Sequence, residues 1–131
     1  MTNPEHDELI RHLRGIQYIV INTEHGGFGL SKEAKILYLE RAGIAYTLVP
    51  GPDRHTESLY GPQIEVNGSI WGSIEIDRDD PILVDVVRHL GSKADGNYAK
   101  LKIVEVPAGV NWEIAEYDGL EWVEEVHRTW N

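Results

Sequence analysis

The stretch Tyr18-Ile19-Val20-Ile21-Asn22-Thr23-Glu24-His25-Gly26-Gly27-Phe28-Gly29-Leu30-Ser31 constrains this chain more than any other. An apolar, β-prone run empties into a glycine-rich loop, and the loop opens a helix at Ser31. A strand and a helix must therefore meet across a short connection. Glycines admit positive φ and let another group come close to the backbone. The unpaired N–H groups at the start of the following helix favour negative charge. The loop is a candidate phosphate cradle, with His25, Gly26, Gly27, Phe28, Gly29 and Ser31 as ligand-binding residues. It is not a Walker loop, since no Lys-Ser/Thr follows the glycines, and it lacks dinucleotide spacing. The competing reading is a tight strand-to-helix turn with Phe28 as a plug into the core.

The rest of the chain reads as α+β. At 131 residues one domain is expected, long enough to bury roughly two-thirds of its unfolded surface. Asn3 and Pro4 start a first helix, Pro4 to Arg14, whose narrow stripe of Leu9, Ile10 and Leu13 needs a second surface. Residues 1–15 are therefore expected to pack on a partner subunit. Ile16 to Asn22 is nearly all apolar and predicts a central strand covered on both faces. Ser31 caps a helix to about Ala42, with Leu30, Ala34, Leu37 and Tyr38 on one face and Gly43 as its stop. Ile44 to Val49 predicts a strand, and Arg54 to Gly61 a polar loop.

Asn67-Gly68, between Gln63–Val66 and Ser69–Ile76, is a strong hairpin signal. Asp79 or Asp80 caps a helix begun by Pro81, with Leu83, Val86, Val87 and Leu90 as its buried stripe. Leu101 to Val106 predicts another central strand. Val110, Trp112 and Ile114 alternate into Asp118-Gly119, a second hairpin turn. The return strand from Leu120 places Leu120, Trp122, Val126 and Trp130 on one face. A helix through Leu120, Val123, Val126 and Trp130 is the rival reading, and strand is preferred. The expected architecture is a mainly antiparallel sheet with two or three helices packed on it.

Charge narrows the function. Twelve basic against 22 acidic side chains give a formal charge of −10. That field repels nucleic acid and anionic membranes, so non-specific nucleic-acid binding is not expected. A pocket can still gather local donors for a small anion. The chain has no cysteine, which removes disulfides, catalytic thiols and thiolate zinc sites. The polar start of the chain predicts no signal peptide. No apolar run approaches the ~20 residues of a membrane span. A soluble cytoplasmic protein is the expectation.

Candidate chemistry is sparse. Asp77-Arg78-Asp79-Asp80 has the oxygens a magnesium site uses, but capping accounts for Asp79 and Asp80. Six histidines are present, none in a His-x-x-x-His or HExxH arrangement, so no metal and no cofactor is expected. His25 is the one candidate base, with Glu24 its only near partner; no catalytic residue is assigned. Asn97 and Tyr98 could read or stack on a base, or simply form a polar turn with Gly96. Arg128 sits in a Trp-bearing tail beside Glu121, Glu124 and Glu125. It either pairs with those carboxylates or contacts a phosphate.

Gly26-Gly27-Phe28-Gly29-Leu30-Ser31, Arg78-Asp79-Asp80-Pro81, Ala99 to Pro107, and Trp112 to Gly119 through His127-Arg128-Thr129-Trp130 together resemble a family of small phage proteins, mostly of unassigned function. The likeness covers about Ile19 to Trp130. It implies the class of compact α+β anti-defence sponges of the Thoeris type. Such proteins bind cyclic ADP-ribose derivatives or cyclic oligonucleotides of bacterial immunity without cleaving them. The resemblance marks no binding residue; the choices above come from loops and cations. The expectation is a non-enzymatic homo-oligomer in the infected bacterium's cytoplasm, sequestering a small anionic nucleotide. Two alternatives stand beside it: an acidic inhibitor that binds a host protein directly, and a small hydrolase using His25.

Overall fold

Strand β1 (Ile16–Asn22) lies antiparallel to strand β5 (Leu101–Pro107), with Ile16 opposite Pro107 and Asn22 opposite Leu101. The structure, a computed structural model, describes residues 15–49, 63–70 and 75–126. Successive side chains of a strand point to opposite faces, and here each face meets a different core. Val20, Leu101 and Ile103 belong to the larger cluster. Ile19, Ile21, Val104 and Val106 belong to the smaller one. The continuous apolarity of both strands is thus covered on both faces, as expected. Their edges differ from a central strand's. Among the described residues, the other edge of β1 bonds to no strand in the ladder sense. Instead the Val20 N–H donates to the Arg78 carbonyl at 2.8 Å, and the Asn22 N–H to Glu121 Oε1 at 2.8 Å.

Two helices fill the larger core. Helix α1 (Lys32–Ala42) begins at Ser31, whose Oγ accepts from the Ala34 N–H, and ends at Gly43 in the left-handed region at φ 72°. Ala34, Tyr38 and Leu39 are buried; the stripe therefore includes Leu39, and Leu37 is only half-buried. Helix α2 (Pro81–Leu90) starts at Asp80, whose side chain accepts from Ile82 and Leu83 N–H, and buries Leu83, Val84, Val86 and Val87. A 3-10 turn, Gly91–Ala94, follows.

The helices are tied through a cap. Tyr38 Oη donates to Asp80 Oδ2 at 2.8 Å. Burial first, then this bond and the charges of Asp80 and Asp77, push the Tyr38 phenol up to about 12. A raised tyrosine favours the fold below its ordinary value of 10 and loses that advantage as pH climbs toward 12. Tyr38→Phe removes a hydrogen bond to a charged acceptor, which costs about 2 kcal/mol. Urea unfolding at pH 7 measures that loss. The same titrations between pH 10 and 12 should show a weaker decline in the variant than in the parent.

The remaining described strands form two antiparallel sheets: β2 (Thr47–Val49), β3 (Gln63–Val66) and β4 (Ser69–Ile70) in the order β2-β3-β4, and the pair β6 (Trp112–Tyr117) and β7 (Leu120–Glu125). Both predicted hairpin turns are present, with Asn67-Gly68 at φ 52° and 79° and Asp118-Gly119 at φ 51° and 87°. Positive φ at both central residues is what an Asn-Gly or Asp-Gly turn supplies. The fold is α+β with antiparallel sheets. The strand expected over Ile44–Val49 is confined to Thr47–Val49. Residues from Leu120 form a strand, as preferred. Its inward face carries Glu121 and the half-buried Val123, however, while Trp122 and Val126 are exposed. Burying Glu121 is tolerated because Arg78 neutralises it.

Several expectations fall outside the described residues. These are the helix Pro4–Arg14 with Leu9, Ile10 and Leu13, the loop Arg54–Gly61, positions 71–74 of the predicted strand Ser69–Ile76, and the tail with Arg128 and Trp130. The sequence grounds for a homo-oligomer lie there too.

Candidate functional site

The end of β1 is anchored by Asn22, whose side chain is fully buried. Its Nδ2 donates to the carbonyls of Glu24 and Gly119, each at 2.7 Å, and its Oδ1 accepts from the Lys100 N–H at 2.9 Å. One amide thereby joins the glycine loop, the β6–β7 turn and the entry to β5. A buried amide is retained at such a point because every polar atom finds a partner.

Beyond Asn22 the loop runs between two turns, backbone against backbone. A Cβ on Gly119 would run into the Gly26-Gly27 backbone, including Gly26 N at 2.7 Å. A Cβ on Gly96 would meet the Gly29 carbonyl carbon at 2.8 Å, and the Gly96 N–H donates to the Gly29 carbonyl at 2.9 Å. Gly26 adopts φ 124°, and a Cβ there would come within 2.8 Å of the Tyr98 Cβ. The strand-to-helix turn is therefore a tight one. Gly27 is different: it has φ 104°, and a Cβ on it would point into open space.

This packing leaves a cavity of about 700 Å³ beside the loop. Gly26, Gly27, Phe28 and Gly29 line it, and so do Asn97 and Tyr98. Two segments that are far apart in sequence share one wall. Among the described residues, the N–H groups of Gly27, Phe28 and Gly29 donate to no protein acceptor. Tyr98 is 77% exposed, so its ring is available for stacking.

Three other sequence candidates are placed differently. His25 is exposed and does not line the cavity; its Nδ1 lies 3.4 Å from the Asp118 carbonyl, and its ring meets Tyr117 edge-on. Ser31 is committed to structure, since its Oγ caps α1 and donates to the Lys93 carbonyl at 2.6 Å. Arg128 lies outside the described residues.

Two cations that sequence reasoning passed over line the cavity, Lys35 and Arg78, together with the carboxylates of Glu75 and Asp77. Burial, and then the charge of Lys32, lower the Lys35 amine from its usual range. Arg78 is the more structured of the two. Its guanidinium sits 3.6 Å above the Phe28 ring centre and forms two parallel bonds to Glu121, at 2.6 and 2.9 Å. The available signal was a lone cation among Asp77, Asp79 and Asp80, whose own charges read as helix capping. Phe28 packs on the larger core while carrying this cation. Among the described residues, no group of three His, Asp or Glu side chains is placed to hold a metal ion. No helix among them is long and apolar enough to cross a membrane.

Comparison of the chain with protein-family models, with curated proteins and with solved structures gives no match.

Proposed function

We propose that this protein binds a small phosphate-bearing nucleotide in the loop cavity and holds it intact. The cyclic ADP-ribose and cyclic oligonucleotide classes are the ligands proposed. In an infected bacterium that activity would withdraw an immune signal, the role implied by the resemblance to phage proteins. One observation carries the reading: Phe28 and Gly29, whose N–H groups donate to no protein acceptor among the described residues, line one cavity of about 700 Å³ with the exposed Tyr98. That volume lies in the range that encloses a small molecule. Unpaired N–H groups suit phosphate oxygens, an aromatic face suits a base, and Asn97 supplies both a donor and an acceptor for a base edge. Glu75 and Asp77 can accept from ribose hydroxyls or an exocyclic amine, which suits a nucleotide better than a bare anion.

The decisive experiment incubates the protein with a panel of cyclic nucleotides and ADP-ribose derivatives, then assays free ligand before and after heat denaturation. Depletion followed by release of the unchanged compound supports sequestration. Release of a product shows hydrolysis instead, and no depletion across the panel removes the nucleotide reading. Tyr98→Ala separates the stacking contact from the rest. Loss of one base–aromatic stack is worth about 1–3 kcal/mol, so calorimetry should show affinity reduced about five- to 150-fold. The melting temperature should hardly move, because the ring is exposed. Equal affinity in the variant would rule out Tyr98 as the stacking surface.

A further inference from the structure

Arg78 has more donors than its partners among the described residues use. A guanidinium carries five N–H groups in a rigid plane. Nη1 donates to the Val20 carbonyl at 3.3 Å and to Glu121 Oε1 at 2.6 Å. Nη2 donates one hydrogen to Glu121 Oε2 at 2.9 Å. Among the described residues, Nε–H and the second hydrogen of Nη2 have no acceptor. Those two lie side by side on the same edge of the plane. They form the second fork of the guanidinium, whose spacing matches two oxygens of a phosphoryl group.

The group is also held still. Phe28 covers one face at 3.6 Å. Glu121 is 8% exposed and accepts the Asn22 N–H as well, so the carboxylate that grips Arg78 is itself fixed to β1. Packing alone does not call for this arrangement, because apolar side chains of similar volume commonly replace a buried ion pair without loss. Arg78 lines the same cavity as the Gly27–Gly29 loop.

We infer that Arg78 grips a phosphoryl group in the cavity through its Nε–H and Nη2–H, while Glu121 holds the opposite fork. The inference rests on the cavity being a nucleotide site, and it assigns the phosphate contact to Arg78. The Arg78–Glu121 pair is neutral overall, so recognition depends on directed hydrogen bonds and not on surplus charge. Lysine cannot reproduce a two-pronged donor edge.

The test observes the arginine Nε–H resonances by ¹H–¹⁵N spectroscopy while the intact protein is titrated with inorganic pyrophosphate and, separately, with cyclic ADP-ribose. The Arg78 signal is assigned through its own side-chain correlations, and calorimetry follows binding in parallel. A saturable shift of the Arg78 signal is expected, with Arg78→Lys binding cyclic ADP-ribose at least tenfold more weakly. If cyclic ADP-ribose binds while the Arg78 signal stays in place and Arg78→Lys binds equally well, the Arg78 assignment is wrong and the cavity reading survives. If neither probe binds by calorimetry, the phosphate-site reading fails and takes the Arg78 assignment with it. Should Arg78→Lys fold poorly, the resonance of the parent protein still decides.

Discussion

Gly119→Ala is expected to destabilise the protein by about 3 kcal/mol. Two costs combine. Gly119 has φ 87°, and an L-residue in the left-handed region costs roughly 1–2 kcal/mol. Its new Cβ would also press on the Gly26-Gly27 backbone, and overpacking that backbone cannot relieve costs about 1–3 kcal/mol. For a domain of this size the melting temperature should drop by about 10 °C. Gly27→Ala is the control, because its Cβ would enter open space and only the strain at φ 104° remains. Thermal melts should therefore rank Gly119→Ala well below Gly27→Ala. Equal melts would mean that the loop is not clamped by the β6–β7 turn. Gly27→Val should fold but bind poorly, since a branched side chain fills the space where a ligand would approach the loop.

Glu121→Ala should cost about 3–5 kcal/mol, the scale of leaving one member of a buried ion pair without its partner. Both side chains are well shielded, at 23% exposure for Arg78 and 8% for Glu121. The variant also strips the Asn22 N–H of its acceptor. Removing both charges, with Arg78→Met and Glu121→Leu together, should recover much of the loss. A double-mutant cycle by urea unfolding measures this, and strict additivity of the two single variants would show that the pair is not coupled. The doubly substituted protein serves a second purpose. It should fold and still fail to bind cyclic ADP-ribose, which divides what Arg78 does for stability from what it does for the ligand.

Local chemistry made most of the fold legible. Ser31 and Asp80 cap their helices because short oxygen-bearing side chains reach the first free N–H groups. Asn67-Gly68 and Asp118-Gly119 turn because both of their central residues accept positive φ. Period-two reasoning failed at β7, where it sends a glutamate to solvent and a tryptophan inward. Glu121 is buried through a partner 43 residues away, and no window along the chain contains both. The same limit applies to the glycines. Gly26 and Gly29 read as one loop and Gly96 and Gly119 as separate turns, although a Cβ on Gly96 would meet Gly29 and one on Gly119 would meet the Gly26-Gly27 backbone. At the site, Asn97 and Tyr98 do share a wall with the glycine loop. The chemistry of His25 and Ser31 suits a ligand, but Ser31 spends its hydroxyl on backbone partners and His25 does not line the cavity. Arg78 was hidden by its acidic neighbours, whose capping role accounted for the whole cluster.

The pairing of β1 with β5 sets an order on the chain's own synthesis. β1 leaves the ribosome before either helix, yet its ladder partner is made only after α2. During that interval Ile19 and Ile21 lack Val106, their companion in the smaller core. The backbone edge of β1 meanwhile offers N–H and C=O groups to any passing strand, the usual route to edge-to-edge aggregation. Pairing at such long range is also intrinsically slow. The growing polypeptide is thus more exposed to edge pairing than the finished domain.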